Sequence, residues 1–379
     1  MNHGYLLSTA DKGPLEALRG FLKSGLDRGA ARAILTPRRG PGTGLIMPTL
    51  VANPALLDQA DPLAPCFPLN AARMVSRLTR RELDDRIAVV LRPCEIRALV
   101  ELVKIKQGDL DNVVIIGLDC PGAYSTAGFM AAAAKGWTDE DALAFFRAAR
   151  SNPLGLDSDP HLASACRVCE HPTPQGADVR IGMWGLDREE AFWVEAPTEK
   201  GAAFIGGLEL PAAAEPPGRS GLVAALTAAR TDKRDAMFEA VHQASGDLER
   251  LDAYFSRCVS CYNCRTACPV CYCRQCVFTT DVFDHEPRQY LMWAERKGAV
   301  GLPADKVFFH LTRMVHMSLS CVGCGQCSNA CPNGIPVMEI FRAAAHKTQA
   351  AFDYQAGMDL EQPPPLSVFL EKEFEEVVG

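Results

Sequence analysis

The 379-residue sequence predicts an α/β N-terminal domain followed by a mainly helical domain organised around cysteine. Three observations carry this. Two short β-branched runs, residues 87–91 (IAVVL) and 113–118 (VVIIGL), flank Ile96, Leu99, Val100 and Val103 at helical spacing, which makes a β-α-β unit. The proline- and glycine-containing stretch 211–220 fits neither periodicity and reads as a linker. Beyond it, 11 of the 16 cysteines fall between Cys258 and Cys331.

The elements follow in order. The α/β domain is expected over residues 1–210, with weaker strands at 179–184 and 192–195. Thr138 with Asp141 three residues on resembles a capping box and would open a helix running through Ala149. After the linker, Leu222, Val223 and Leu226, then Met237, Phe238 and Val241, give helical spacing within a second domain at 221–352. In the insert 281–320, Val307, Leu311, Met314 and Val315 mark one helix face, read as plain core packing. Residues 353–379 form an acidic tail with seven acids against one lysine, so it carries six of the seven excess negative charges. Such a tail reads as a solvated arm, although the apolar residues of LSVFLEKEF also suit a docking arm for a partner subunit.

Composition excludes several classes. A net charge of −7 argues against nucleic-acid binding, and 48% hydrophobic with 22% charged residues argues against global disorder. No apolar run approaches the roughly 18 residues that span a bilayer, and the N-terminus lacks the pattern of a secretory signal. A cytoplasmic location is expected, where sixteen cysteines point to metal rather than to disulfides.

The strongest motif is an internal repeat. Cys258-x2-Cys261-x2-Cys264-x3-Cys268-Pro269 is matched by Cys321-x2-Cys324-x2-Cys327-x3-Cys331-Pro332. This is the spacing of a two-cluster ferredoxin-like domain, in which three close thiolates bind one [4Fe-4S] cubane and the fourth binds the other. Carried onto these positions, Cys258, Cys261, Cys264 and Cys331 hold one cluster, and Cys321, Cys324, Cys327 and Cys268 the second. Structural zinc fits four thiolates within eleven residues poorly. The glycines of CVGCGQC allow backbone N–H groups to approach sulfur.

The other cysteines raise the count to three or more clusters if they also bind metal. Cys271, Cys273 and Cys276 either hold a further cluster, completed by a distant thiol, or are buried thiols beside a metal-rich core. Cys94 and Cys120 each follow a predicted strand end, where an α/β sheet presents ligand-binding residues, and with the pair Cys166 and Cys169 they could converge on one site. Cys66 has no motif around it. His171 lies near enough to Cys169 to be a ligand or proton donor, whereas His310 and His316 read as structural. No Ser-His-Asp arrangement, Walker loop or strand-linked G-x-G-x-x-G is present, and GPGTG at 40–44 precedes a strand rather than a helix, so it reads as a turn and not as a phosphate cradle.

In combination these segments resemble a known family. RPCEIRALVELVKIKQ, VVIIGLDCPG and CRVCEHPTPQGADVRIG occur in the order of the coenzyme-binding core of the deazaflavin-dependent hydrogenase/dehydrogenase beta-subunit family. CYNCRTACPVCYC is similar to the beta subunits of formate dehydrogenases and of assemblies built around heterodisulfide reductase. The resemblance covers residues 70–345 and implies an oxidoreductase subunit moving electrons between FAD, iron-sulfur clusters and a soluble carrier such as a deazaflavin, NAD(P) or ferredoxin. Its implied partners are a hydrogenase, a formate dehydrogenase or a heterodisulfide reductase-like protein. The resemblance further makes Cys94, Cys120, Cys166 and Cys169 ligands of a cluster beside the flavin. Arg73 and Lys106 would then supply cations for the flavin's pyrophosphate and reduced ring. Members often show a Gly-Gly element opening the first helix where this chain reads ADKGPLEALRG, so a flavin-free electron-wiring and docking subunit stays open as the second reading.

Overall fold

The computed structural model describes residues 4–40, 45–186 and 191–368. Eight described strands make one sheet: β1 (Gly4–Ser8), β2 (Ala33–Arg39), β3 (Ile46–Val51), β4 (Ile87–Leu91), β5 (Val113–Leu118), β6 (Val179–Gly182), β7 (Ala191–Glu195) and β8 (Ala212–Ala213), in the order β3-β2-β4-β5-β6-β7-β1-β8. β2, β4, β5 and β6 run parallel, and antiparallel strands flank them on both sides. Every residue of β4 and β5 is buried, as unbroken apolar strands between two covered faces must be. The helix Pro93–Lys104 joins them as expected. Thr138 and Asp141 exchange capping-box bonds (2.8 and 3.3 Å) at the start of the helix Asp139–Ser151.

Three strands, β1, β2 and β8, were not expected from sequence, whereas β3 follows GPGTG as expected. β2 and β3 pair with Pro37 opposite Pro48, and a proline offers no N–H to a ladder, which an edge hairpin tolerates. Gly40 donates its N–H to the Leu45 carbonyl (2.9 Å) at the end of this hairpin. The turn was expected at residues 40–44, of which 41–44 lie outside the described residues. The stretch 211–220, expected as a linker, instead supplies β8 and the first residues of the 27-residue helix Arg219–Ser245.

The helical half shares its core with the sheet. One apolar cluster runs from Leu35, Val89 and Ile96 through Val241 and Phe255 to Phe309, Phe341 and Tyr354. A second covers the opposite sheet face, from Leu18 through Val114 and Phe146 to Phe192. The helix Pro93–Lys104 holds the two halves together by polar contacts as well. Buried Arg97 donates to the carbonyls of Val322 (3.2 Å) and Ala356 (2.8 and 3.0 Å). Buried Glu101 accepts from the Tyr354 hydroxyl (2.6 Å) and the Gly357 N–H (2.7 Å) and lies 3.4 Å from the Lys104 ammonium.

The start of the tail is therefore not a solvated arm: Tyr354 and Ala356 are buried. Its LSVFLEKEF segment extends beyond residue 368, outside the described residues from 369 onward. The insert also differs from expectation. In the helix Lys306–Met317, Val307, Leu311 and Met314 pack against the core as expected, but the fully buried residues are Phe309, His310, Arg313 and Met317, and Val315, assigned to the same face, is 74% exposed.

Glu101→Ala removes the acceptor for two buried donors and the partner of a buried ammonium. It should cost about 3 kcal/mol in denaturant unfolding and speed cleavage by a non-specific protease within residues 353–360. Unchanged cleavage there would show that this carboxylate does not anchor the segment.

Candidate metal centre

The N-terminal cysteines are placed by strand ends. β4 ends at Leu91, and Arg92-Pro93-Cys94 turn directly into the helix Pro93–Lys104, with proline in its first turn. Glu95 fixes this turn by accepting the N–H groups of Arg92 (2.9 Å) and Ala71 (2.7 Å). Neighbouring β5 delivers Asp119 and Cys120. Asp119 accepts the Met183 N–H (2.9 Å) and receives two bonds from the Arg219 guanidinium, one of them 2.7 Å, in a buried fork. Cys166 lies in the short helix Ser164–Arg167, and Cys169 follows it.

These four cysteines line one cavity together with Phe67, Arg92, Gly122, Arg230 and Cys324. Ala123 donates its N–H to Cys166 Sγ (3.2 Å). Burial pushes the Cys94 thiol well up, with Cys324 adding to the effect, and pushes Cys120 up to about 12, with Cys166 adding. Crowded thiols of this kind ionise readily only when cations are brought among them, which is what iron supplies. Arg92 and Arg230 are fixed cations here, and Arg92 is the one beside Cys94 and Cys120. It donates to the carbonyls of Ala64 (3.1 Å) and Cys66 (2.7 Å), and its own charge is supported, after the cost of burial, by Glu95, Cys120 and Cys94.

In the helical half, Cys258, Cys261, Cys264 and Cys331 line a second cavity with Tyr262, Phe309, His310, Ile335 and Val337. Backbone N–H groups of Ser260 and Ile335 donate to the sulfurs of Cys258 and Cys331, both at 3.4 Å. His310 stacks on Phe255 and places Nε2 3.3 Å from Cys258 Sγ. Burial, with Arg313 adding, pushes His310 down to about 3, so it is a neutral imidazole. Cys268, Cys321, Cys324 and Cys327 form a third group. Burial raises the thiol of Cys327, and Cys268, Cys324 and Cys321 raise it further.

Cys324 belongs to this group and also lines the N-terminal cavity, and the short helix Asn263–Ala267, which carries Cys264, packs against the helix Gln326–Asn329, which carries Cys327, so the three groups are contiguous. Among the described residues no cluster of His, Cys, Asp or Glu converges tightly enough to hold a single metal ion.

The remaining candidates are placed elsewhere. Cys66 is buried with its sulfur 3.5 Å from the Ile46 carbonyl, on its own. Cys271 is buried beside Cys268, Cys273 is exposed and Cys276 is half-buried, and none of the three lines either cavity. Neither proposed flavin cation lines the N-terminal cavity. Arg73 is turned away onto the carbonyl of Thr266 in the first motif. Lys106 follows the C-terminal end of the helix that carries Cys94 at its start, and it takes up a left-handed conformation there. Sequence reasoning missed Arg92, Asp119, Arg219 and Arg313. For Arg92 a signal existed, since it is two residues from Cys94. His171 lines the cysteine cavity, and burial pushes it down to about 3.

The fold and cysteine groups are those of an iron-sulfur redox protein, and comparison with known proteins specifies the relationship. Residues 84–210 match the family described as the C terminus of the coenzyme F420 hydrogenase/dehydrogenase beta subunit, and residues 315–337 match a 4Fe-4S binding domain. The chain is 28% identical to the F420-dependent formate dehydrogenase subunit beta of Methanocaldococcus jannaschii, across 96% of this chain and 98% of that protein. It is 29% identical to the F420-dependent formate dehydrogenase 1 subunit beta of Methanococcus maripaludis, with the same coverage. A chain of the F420-reducing [NiFe] hydrogenase complex from Methanosarcina barkeri superposes with a TM-score of 0.46 at 13% identity, over 66% of this chain and 94% of that one. The chain thus resembles the deazaflavin-coenzyme hydrogenase/dehydrogenase beta-subunit family along nearly its whole length. No helix among the described residues is long and apolar enough to cross a membrane.

Gly325 is where two cysteine loops touch. Its φ is +79°, and a Cβ there would lie 2.4 Å from Ala165 Cβ, beside Cys166. Gly325→Ala should therefore combine left-handed strain of about 1–2 kcal/mol with separation of the CVGCGQC and ACRVC loops. Iron content of the reconstituted chain should fall to half or less. Full iron content would show that the loops can part without losing the site.

Proposed function

We propose that this chain is the iron-sulfur beta subunit of a multi-subunit oxidoreductase. It moves electrons between a soluble two-electron carrier of the deazaflavin class and a catalytic partner such as a formate dehydrogenase, a hydrogenase or a heterodisulfide reductase-like protein. The observation that carries this reading is the contiguity of the three cysteine groups, which run from the strand ends of the sheet to Cys261, itself exposed at the surface. The two formate dehydrogenase relatives support the carrier class and a formate dehydrogenase partner, the family description adds a hydrogenase, and the heterodisulfide reductase-like partner rests on the sequence resemblance of the first cysteine motif alone.

On this reading Cys94, Cys120, Cys166 and Cys169 hold one [4Fe-4S] cluster. Cys268, Cys321, Cys324 and Cys327 hold a second, and Cys258, Cys261, Cys264 and Cys331 a third. Such clusters, when bound, accept and release one electron at a time. The chain's own residues do the rest. Thiolates hold the iron, N–H groups of Ala123, Ser260 and Ile335 take up part of the negative charge on sulfur, and the apolar walls formed by Phe67, Phe309 and Val337 keep water out. The exposed Cys261 makes its cluster the exit toward a redox partner.

FAD at the N-terminal site would link two-electron and one-electron chemistry. The flavin-free alternative is favoured by one observation, that Arg73 and Lys106 do not line the N-terminal cavity. Anaerobic purification followed by flavin extraction and iron analysis separates the two. About twelve irons per chain are expected, four for each cubane. One bound flavin supports the first reading, and full iron without flavin supports the second. Cys166→Ala should remove about four irons and leave the EPR signals of the other clusters in place. Loss of all signals together would sink the assignment of a separate N-terminal cluster.

A further inference from the structure

The helix Lys306–Met317 lies between the two cysteine motifs in sequence, and no cysteine is on it. It nevertheless inserts a cation among their thiols. Arg313 is 4% exposed, and its Nη1 donates to Cys264 Sγ at 3.1 Å while Nη2 donates to the Cys264 carbonyl at 3.3 Å. The guanidinium stacks 4.8 Å from the Phe341 ring and 5.6 Å from the Phe309 ring, so aromatic faces replace water around it. A buried cation is costly unless negative charge meets it. The same helix reaches the next cysteine group one turn on, where Met317 Sδ lies 3.8 Å from Cys268 Sγ, and the short helices that carry Cys264 and Cys327 pack against each other beside it.

Cys264 belongs to one cysteine group, whereas Cys268 and Cys327 belong to the next. We propose that Arg313 is a positioning residue that serves as a countercharge shared by these two neighbouring clusters and raises the reduction potential of both. This inference rests on the cubane reading above. Adding one electron to a cluster makes it one unit more negative, with no bond formed or broken and no proton taken up. A fixed positive charge in a site without water stabilises that reduced state more than the oxidised one. Hydrogen bonds to sulfur act in the same direction. Arginine suits the role because its charge is permanent and its fork can bond a sulfur and a carbonyl together. Cys264 is in direct contact, so its cluster should respond more than the one held by Cys268, Cys321, Cys324 and Cys327.

The test uses the full-length chain, loaded with iron and sulfide under anaerobic conditions and titrated by EPR at controlled potential. At the wild-type midpoint, Arg313→Gln should lower the reduced-to-oxidised ratio of the Cys264 cluster tenfold or more, which is about 59 mV for a one-electron couple. The neighbouring cluster should shift the same way by less, and the N-terminal cluster should not move. Arg313→Lys, which keeps a charge but loses the fork, should fall between wild type and Arg313→Gln. Wild-type iron content with both potentials unmoved in Arg313→Gln would overturn the proposal. If Arg313→Gln fails to retain iron, Arg313→Lys decides: a lowered potential for the Cys264 cluster supports the shared countercharge, and wild-type potentials for both clusters overturn it. A wild-type chain without cubane signals would instead overturn the cubane reading, and this inference with it.

Discussion

Buried sulfur has to be matched by buried positive charge, and much of the architecture follows from that need. Arg92 faces the thiols of Cys94 and Cys120, Arg313 faces Cys264 and Cys268, and Arg342 with Arg97 offsets the burial of Cys321. All four arginines are largely or fully buried, where an unmatched cation would be strongly destabilising. Each is held by other bonds as well: Arg92 by two carbonyls, Arg97 by Ala356, and Arg342 by the Val168 carbonyl (2.7 Å) and Glu170. These bonds to carbonyls and carboxylates hold the cations beside the cysteine groups, where positive charge favours the thiolates that a cluster needs.

The helix Pro93–Lys104 shows how one element serves both halves of the molecule. Its first turn carries Cys94 to the cavity at the strand ends, where the helix dipole favours a thiolate. One turn on, Arg97 grips Val322, which lies between Cys321 and Gly323 of the second motif. Another turn on, Glu101 fixes Tyr354 and Gly357. The same side of the sheet therefore fixes the N-terminal cysteine group and the position of the next group along. This explains why the sheet and the helical half share one apolar cluster rather than meeting across a linker.

What could be read from sequence was whatever had a strict local pattern. β4 and β5 were legible because a five- or six-residue apolar run buried on both faces has few alternatives, and the interleaved cysteine motifs were legible because their spacing is itself the geometry. β2 was not, since AILTPRR breaks its run with proline and charge toward the sheet edge, whereas a strand was expected where β3 follows GPGTG. The helix Lys306–Met317 was recognised, and Val307, Leu311 and Met314 do pack against the core, but its most buried positions were missed. His310 and Arg313 look like its solvent face until their partners are known, and those partners are sulfurs about fifty residues distant in sequence. Polar residues on a buried face carry no apolar periodicity, so their role shows only when tertiary contacts bring the cysteines to them. Arg73 and Lys106 illustrate the converse, because proximity in sequence to a family motif did not bring either to the cavity.

Contiguity of the three cysteine groups is the central claim, and magnetic coupling reports on it directly. In low-temperature EPR of the fully reduced, cluster-loaded chain, neighbouring paramagnetic clusters should broaden and split one another's signals. Those interactions should vanish at partial reduction, when few neighbours are reduced together. A fully reduced spectrum that is a plain sum of sharp, independent signals would contradict a continuous chain of clusters through this protein.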